Sequence, residues 1–96
     1  MELQYAMKLE WDEAKNASNI EKHGVSFAMA ALIFDGPVLT FEGGRLDYGE
    51  QRLNSIGSAA GVVILTVTHT DRQGVTRIIS ARPASRGERK RYDEAA

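Results

Sequence analysis

The order of patterns along the chain predicts an α+β fold. Two helical stretches stand near the start, a run of strand-like segments separated by short turn signals follows, and a helix closes the chain. Consecutive strands joined by short loops pair antiparallel, and helices that segregate from strands define α+β rather than α/β. The 96 residues read as one domain over 1–96. A domain of this size buries roughly two-thirds of its unfolded surface, enough for a core without staples.

Met7, Leu9 and Trp11 alternate with Lys8 and Glu10, which predicts a short N-terminal strand. Asp12 is suited to cap a helix, Glu13 complements the dipole of its first turn, and Gly24 ends it. Ala14, Ala17 and Ile20 supply its thin apolar stripe. Ser26 caps a second helix in which Phe27, Ala30, Ala31 and Phe34 follow the i, i+3, i+4, i+7 spacing. Asp35-Gly36-Pro37 stops it. Val38 to Phe41 reads as a strand, and Glu42 to Glu50, polar and glycine-containing, as a loop. Gln51 to Gly57 alternates weakly. Gly61 to Thr70 is the strongest strand signal, rich in β-branched residues. Asp71-Arg72-Gln73-Gly74 reads as a hairpin loop and Val75 to Ala81 as the return strand. In that strand strict alternation puts Thr76, Ile78, Ser80 and Arg82 on one face and Val75, Arg77, Ile79 and Ala81 on the other. Arg77 and Arg82 then share a site only if a bulge or strand end intervenes. Ser85 and Glu88 form a capping box for a last helix through Glu94. The expected architecture is an antiparallel sheet of three to four main strands plus the short N-terminal one, with two N-terminal helices and one C-terminal helix.

Composition narrows the function. There is no cysteine, so thiolate zinc sites, disulfides and cysteine nucleophiles are excluded. No apolar run approaches the ~18 residues of a membrane helix. Met1 to Glu10 lacks the features of a signal peptide, so a cytoplasmic protein away from membranes is expected. Net charge is −1, yet the charge is asymmetric. Residues 1–44 carry three cations against seven acids, and residues 45–96 carry nine cations against six acids. All of those nine but Lys90 are arginine, whose planar fork suits phosphate.

His23 and His69 have no partner at metal-ligand spacing, and no P-loop, dinucleotide fingerprint or nucleophile elbow occurs. No metal or cofactor is therefore expected. The remaining chemistry-bearing groups are Lys22-His23, Glu50 with Arg52, Arg77, Ser80 with Arg82, and Arg86, Arg89, Lys90, Arg91 and Tyr92. They suit RNA cleavage by 2′-hydroxyl attack, which needs a base, an acid and cations for the phosphorane. Structural readings stand beside this one. Lys22-His23 complements a helix C-terminus. Glu50-Arg52 reads as a surface ion pair, and Glu88-Arg91 as an i, i+3 pair on a solvated helix face. Tyr92 and Trp11 read as packing residues, and His69 as a strand-surface residue.

Residues Trp11 to Asn16, Lys22-His23-Gly24-Val25-Ser26-Phe27 and Phe34-Asp35 resemble the opening of the BrnT family of toxins. Arg45-Leu46-Asp47-Tyr48-Gly49-Glu50-Gln51-Arg52 with Ile56-Gly57 resembles its central segment. Arg77 to Arg82, followed by Arg86, Glu88, Arg89 and Tyr92, resembles its ending. The resemblance implies a RelE-like fold and a ribonuclease that arrests translation as the toxin of a type II toxin–antitoxin pair. It implies a BrnA antitoxin with a ribbon-helix-helix part, and contact with DNA only through that complex. By position, Glu50 or His23 would transfer the proton, and Arg52, Arg77 and Arg82 would hold the scissile phosphate. Lys22, Ser80, Arg86 and Arg89 would contact RNA, and Tyr92 would stack on a base or pack beside the site. A non-catalytic module that binds antitoxin or RNA without cleavage is the alternative. The chain departs from the family at Ala28 and Met29, at Leu46, and at Pro83. Pro83 and Gly87, which costs roughly 1 kcal/mol relative to alanine in a helix, suggest a terminal helix that is weaker, or hinged away from the sheet, when the partner is absent.

Overall fold

A computed structural model describes residues 8–47 and 50–95, with the backbone alone at 44–47. In chain order the elements are β1 (Lys8–Glu10), α1 (Glu13–His23), α2 (Phe27–Ala31) running into a 3-10 turn (Leu32–Asp35), β2 (Val38–Asp47), β3 (Glu50–Ala59), β4 (Val63–Arg72), β5 (Val75–Pro83) and α3 (Arg86–Ala95). The α+β class is as predicted. The sheet has five strands in the order β1-β5-β4-β3-β2. Strands β2 to β5 form an antiparallel meander, but β1 lies parallel to β5, so the sheet is mixed rather than antiparallel throughout. Of the expected three to four main strands there are four, and β1 makes the fifth. Met7, Tyr48 and Gly49, parts of the sequence motifs, lie outside the described residues. Among the described residues no helix is long and apolar enough to cross a membrane.

Register assigns the two faces. Val38, Gly57 and Leu65 share a row on the inner face, as do Thr40, Ser55, Val67 and Ala81, and then Leu53, His69 and Ile78. Phe27, Ala30 and Ile33, all fully buried, press onto Leu65, Val67, Ile78 and Ala81 to form the core. The 3-10 turn approaches β3 so closely that a Cβ at Gly57 would lie 2.9 Å from the Cβ of Ile33. Leu39, Ile56, Thr66 and Arg82 form a row on the outer face, as do Phe41, Asn54, Thr68 and Ser80. Helix α3 lies over the β2–β3 side of that face. The helices are thus divided between the two faces.

Several local expectations change. Glu42 to Glu50 is not a loop. Pairing between β2 and β3 continues to Asp47↔Glu50, with an irregularity between Glu42 and Leu46. Backbone ladder bonds at a sheet margin need no apolar side chains, so polarity there hid the strand. Strands β4 and β5 likewise run through Asp71 and Arg72, leaving only Gln73-Gly74 as the turn. Both turn residues have positive φ, 51° and 82°, as a type I′ hairpin requires. His69 is not on the surface. It is 2% exposed, stacked edge-on to Phe34 at 5.3 Å.

Strict alternation in β5 also fails. The register slips between Thr68 and His69, where Ser80 and Ile78 are the successive partners and Ile79 is an extra residue. This bulge puts Thr76, Ile78 and Ala81 on the inner face and Arg77, Ser80 and Arg82 on the outer one.

Helix α1 is capped as expected. The Asp12 carboxylate accepts from the Ala14 and Lys15 amides at 2.8 and 3.3 Å, and Gly24 adopts φ 70°. Its alanine stripe does not pack, since Ala14, Ala17 and Ile20 are exposed. Two asparagines hold it instead. Asn16 accepts from the Phe27 amide at 2.8 Å. Buried Asn19 donates to the Val25 and Ala81 carbonyls, each at 2.8 Å, and accepts from the Ala81 amide at 3.1 Å. Among the described residues strand β1 pairs with residues 75–77 of β5 and ends there. Beyond Arg77 the edge of β5 needs other partners, and the Asn19 amide supplies them.

Helix α3 is docked, not hinged away. Ser85 and Glu88 close the capping box at 2.8 and 3.2 Å. The Tyr92 hydroxyl donates to the Pro37 carbonyl at 2.9 Å, and the Arg91 guanidinium lies 4.7 Å over the Phe41 ring. Polar anchors hold this helix, which has no buried residue.

Asn19→Ala leaves buried donors and acceptors unpaired and is expected to cost about 3 kcal/mol. Asn19→Asp keeps one acceptor, loses both donors and is expected to cost as much. Urea unfolding of the two variants measures this.

Candidate functional site

The bulge gathers charge on the outer face. At the β4–β5 hairpin end, Glu10, Glu50, Thr70, Arg72, Gln73, Val75 and Arg77 line an open cleft of about 360 Å³. Glu10 and Arg77 are paired across the parallel strands, with Arg77 Nη1 donating to Glu10 Oε2 at 2.7 Å. Glu50 faces Arg72 more loosely at 3.5 Å. Arg52, half-buried, shares this face by its alternation with Glu50 and Asn54. Beside it the Thr68 hydroxyl donates to Asn54 Oδ1 at 2.7 Å. Exposed ion pairs of this kind are weak and exchangeable, so an incoming phosphate competes well for either guanidinium.

A second, smaller groove of about 190 Å³ lies where α1 flanks the edge of β5. Its walls include Lys15, Ser18, Lys22, His23, Ile79 and Ser80. Lys15, Ser18 and Lys22 follow helical spacing along one side of α1. His23 is also part of the wall of a third, mainly apolar groove of about 390 Å³, with Ile20, Val25, Met29, Val63, Leu65 and Pro83.

Arg82 serves a different purpose from that expected. Its two Nη atoms donate to the Glu88 carboxylate at 2.7 and 2.8 Å. Glu88 also accepts from Thr66 Oγ1 at 3.0 Å and from the Ser85 amide. With four donors the Glu88 carboxyl is held at about 2, against an ordinary 4.5, chiefly by the Arg82 hydrogen bonds. The same pairing raises the Arg82 pKa. Glu88 therefore ties α3 to β5 instead of pairing with Arg91.

The predicted residues fall into three groups. Glu50 and Arg77 meet in one cleft, with Arg52 on the same face. Lys22, His23 and Ser80 meet in the α1 groove, so the two proton-transfer candidates, Glu50 and His23, line different grooves. Arg82 is bound by Glu88, Arg86 and Arg89 are exposed on α3, and Tyr92 is half-buried on Pro37. The Glu50–Arg52 ion pair read from sequence is replaced by Glu50 with Arg72. Sequence reasoning missed Glu10, Lys15 and Arg72. Extending the β4 alternation of Thr66, Thr68 and Thr70 by one step would have found Arg72, and Lys15 stands seven residues before Lys22 on a helix. Nothing in the sequence pointed to the parallel pairing that brings Glu10 to Arg77.

One other constellation has a familiar shape. Thr40 Oγ1 lies 2.8 Å from Ser55 Oγ, which lies 2.8 Å from His69 Nε2, and His69 Nδ1 lies 2.9 Å from Asp71 Oδ1. Ser55 is fully buried on the inner face, so substrate has no route to it. Among the described residues no three His, Cys, Asp or Glu side chains group as metal ligands.

The fold and this face define a small α+β protein with helices on both sides of a mixed sheet and an open carboxylate–guanidinium cleft. Residues 11–88 match the family described as the ribonuclease toxin, BrnT, of type II toxin–antitoxin systems, and the chain belongs to that family. The crystal structure of the Brucella abortus ribonuclease toxin, BrnT, is similar at TM-score 0.61 and 31% identity, over 84% of this chain and 100% of that one. No curated protein sequence matches.

Glu88→Gln is expected to cost about 1–2 kcal/mol at neutral pH, discounted because Arg82 is partly exposed. A depressed carboxyl stabilises the fold above its unfolded value, and that stabilisation is lost as pH falls from 4.5 through about 2. Urea midpoints measured across this window should decline in the parent protein, and the part of the decline due to Glu88 should vanish in the variant.

Proposed function

We propose that this chain is a metal-independent endoribonuclease toxin that cleaves RNA by 2′-hydroxyl attack at the cleft holding Glu50 and Arg77. The observation that carries this reading is the meeting of two carboxylates, from Glu10 and Glu50, with two guanidiniums, from Arg72 and Arg77, in one solvent-open cleft on the sheet face. In the reaction the 2′-oxygen bonds to the adjacent phosphorus, and Glu50 accepts its proton. The bond to the 5′-oxygen breaks, water supplies that oxygen with a proton, and a 2′,3′-cyclic phosphate remains. Arg72 and Arg77 exchange their carboxylate partners for phosphate oxygens and stabilise the charge that grows on the phosphorane. Arg52 adds charge on the same face. Lys22, His23 and Ser80, in the neighbouring groove, hold the flanking strand rather than transfer the proton. Arg86 and Arg89 add long-range attraction, and Arg82 with Tyr92 keeps α3 in place.

Membership of a type II toxin–antitoxin family supports the remaining parts of the reading. The toxin acts in the cytoplasm to arrest translation, a BrnA-like ribbon-helix-helix antitoxin neutralises it, and DNA is met only through that complex. The RelE-like description of the fold belongs to the same reading. One observation favours a non-catalytic binding module instead: Glu10, Glu50 and Glu88 already occupy Arg77, Arg72 and Arg82.

Incubation of a synthetic single-stranded RNA with purified protein in EDTA separates the two. Cleavage with a cyclic phosphate end is expected, and a 2′-deoxy linkage at the cut site should resist it. Glu50→Gln and Arg77→Ala should each slow the reaction at least about tenfold, with thermal midpoints little changed, because both side chains form partly exposed pairs. RNA that is bound yet intact would establish the module.

A further inference from the structure

The grooves on either side of the last turn of α1 differ in character but share a wall. On one side Ile20, Val25, Met29, Val63, Leu65 and Pro83 make an apolar trough of about 390 Å³. Ile20 and Met29, at 45% and 42% exposure, are large apolar side chains left in water at its rim. On the other side Lys15 and Lys22 stand exposed over Ser80. His23 lines both.

We propose that these two grooves form one docking surface for an acidic, amphipathic segment of a partner protein. The segment's apolar side chains fill the trough between Ile20, Met29 and Pro83, and its carboxylates reach over His23 to Lys15 and Lys22. This rests on the toxin–antitoxin reading for the existence of a partner; the surface and its chemistry come from the two grooves. An apolar strip beside a cationic strip matches a segment with apolar residues on one side and acids on the other.

Two other occupants fit less well. Apart from the His23 ring at its edge the trough is walled by aliphatic side chains, with no Phe, Tyr, Trp or Arg among its lining residues, so it offers single-stranded RNA one small stacking surface and no guanidinium for phosphate. A second copy of this chain docked through the same surface would bring more lysine and no carboxylate from the walls of these grooves, so Lys15 and Lys22 would go unmet. An acidic segment on Lys22 would displace RNA from the same lysine, so silencing would follow from occupancy of this surface, away from the Arg77 cleft.

The probe is the protein encoded by the reading frame adjoining this gene, purified with this chain as a complex. Hydrogen exchange should show protection in the complex across residues 15–29. The Ile20→Glu, Met29→Glu double variant should bind at least about tenfold more weakly and keep the RNA cleavage rate and thermal midpoint of the parent. Lys15→Glu, Lys22→Glu should also weaken binding and flatten its dependence on salt. Protection confined to α3 or to the Arg77 cleft would overturn the proposal, as would unchanged binding by the apolar variant or no complex between the two proteins. RNA displacing the partner from the trough in competition with the Lys15→Glu, Lys22→Glu variant would overturn it as well. Binding is read without reference to cleavage, so loss of the ribonuclease reading leaves these outcomes intact.

Discussion

The hydrogen bonds between Asn19 and the backbone of Ala81 are the constraint on which the arrangement depends. Strand β1 ends at Glu10, opposite Arg77, so β5 beyond that point has no strand beside it, and a bare backbone edge beside a buried core is costly. One amide side chain accepts from and donates to that edge and also holds the Val25 carbonyl at the turn into α2. It thereby fixes α1 against the sheet, sets the path into Phe27 and the core, and positions Lys22 and His23 over Ser80. A helix held by amides rather than by apolar contact can place its lysines close to a strand edge without burying them.

The bulge at Ile79 does for the sheet what Asn19 does for the helix. With an even alternation, Arg77 would have shared its face with Ala81 and lain among the core residues. The extra residue reverses the phase between Ile78 and Ser80, so that apolar side chains stay inside while Arg77, Ser80 and Arg82 all face outward. The charged cleft beside Glu50 is a consequence of that phase change. The same face is then divided, because Glu88 fastens Arg82 to the base of α3 and leaves Arg77 and Arg72 as the guanidiniums within the cleft.

Much of the fold was legible because local chemistry agreed with tertiary structure. Asp12, Gly24, Ser26 and the Ser85–Glu88 box act as their residue types suggest, and the β-branched run of β4 marks the centre of the sheet. What was illegible depended on partners distant in sequence. Polar residues after Phe41 hid a strand, since ladder bonds come from the backbone. The alanines of α1 looked like its packing face, but the free edge of β5 required hydrogen bonds that alanine cannot make. Candidate site residues were recognised by type, and Glu50 with Arg77 do meet. Their grouping with His23 and Arg82 depended on groove walls and on an ion pair to Glu88, neither of which has a signature in spacing.

The line from Thr40 through Ser55 and His69 to Asp71 crosses three adjacent strands on the inner face. Each hydroxyl and both ring nitrogens of the line have a hydrogen-bond partner within it, so no polar group of these side chains is left to the apolar layer. Sliding any of those strands by one position would turn a member of the line toward the other side and strand its neighbours in an apolar layer. The line is therefore a bolt through the meander, locking each strand to its intended opposite and making misaligned sheets expensive while the chain folds.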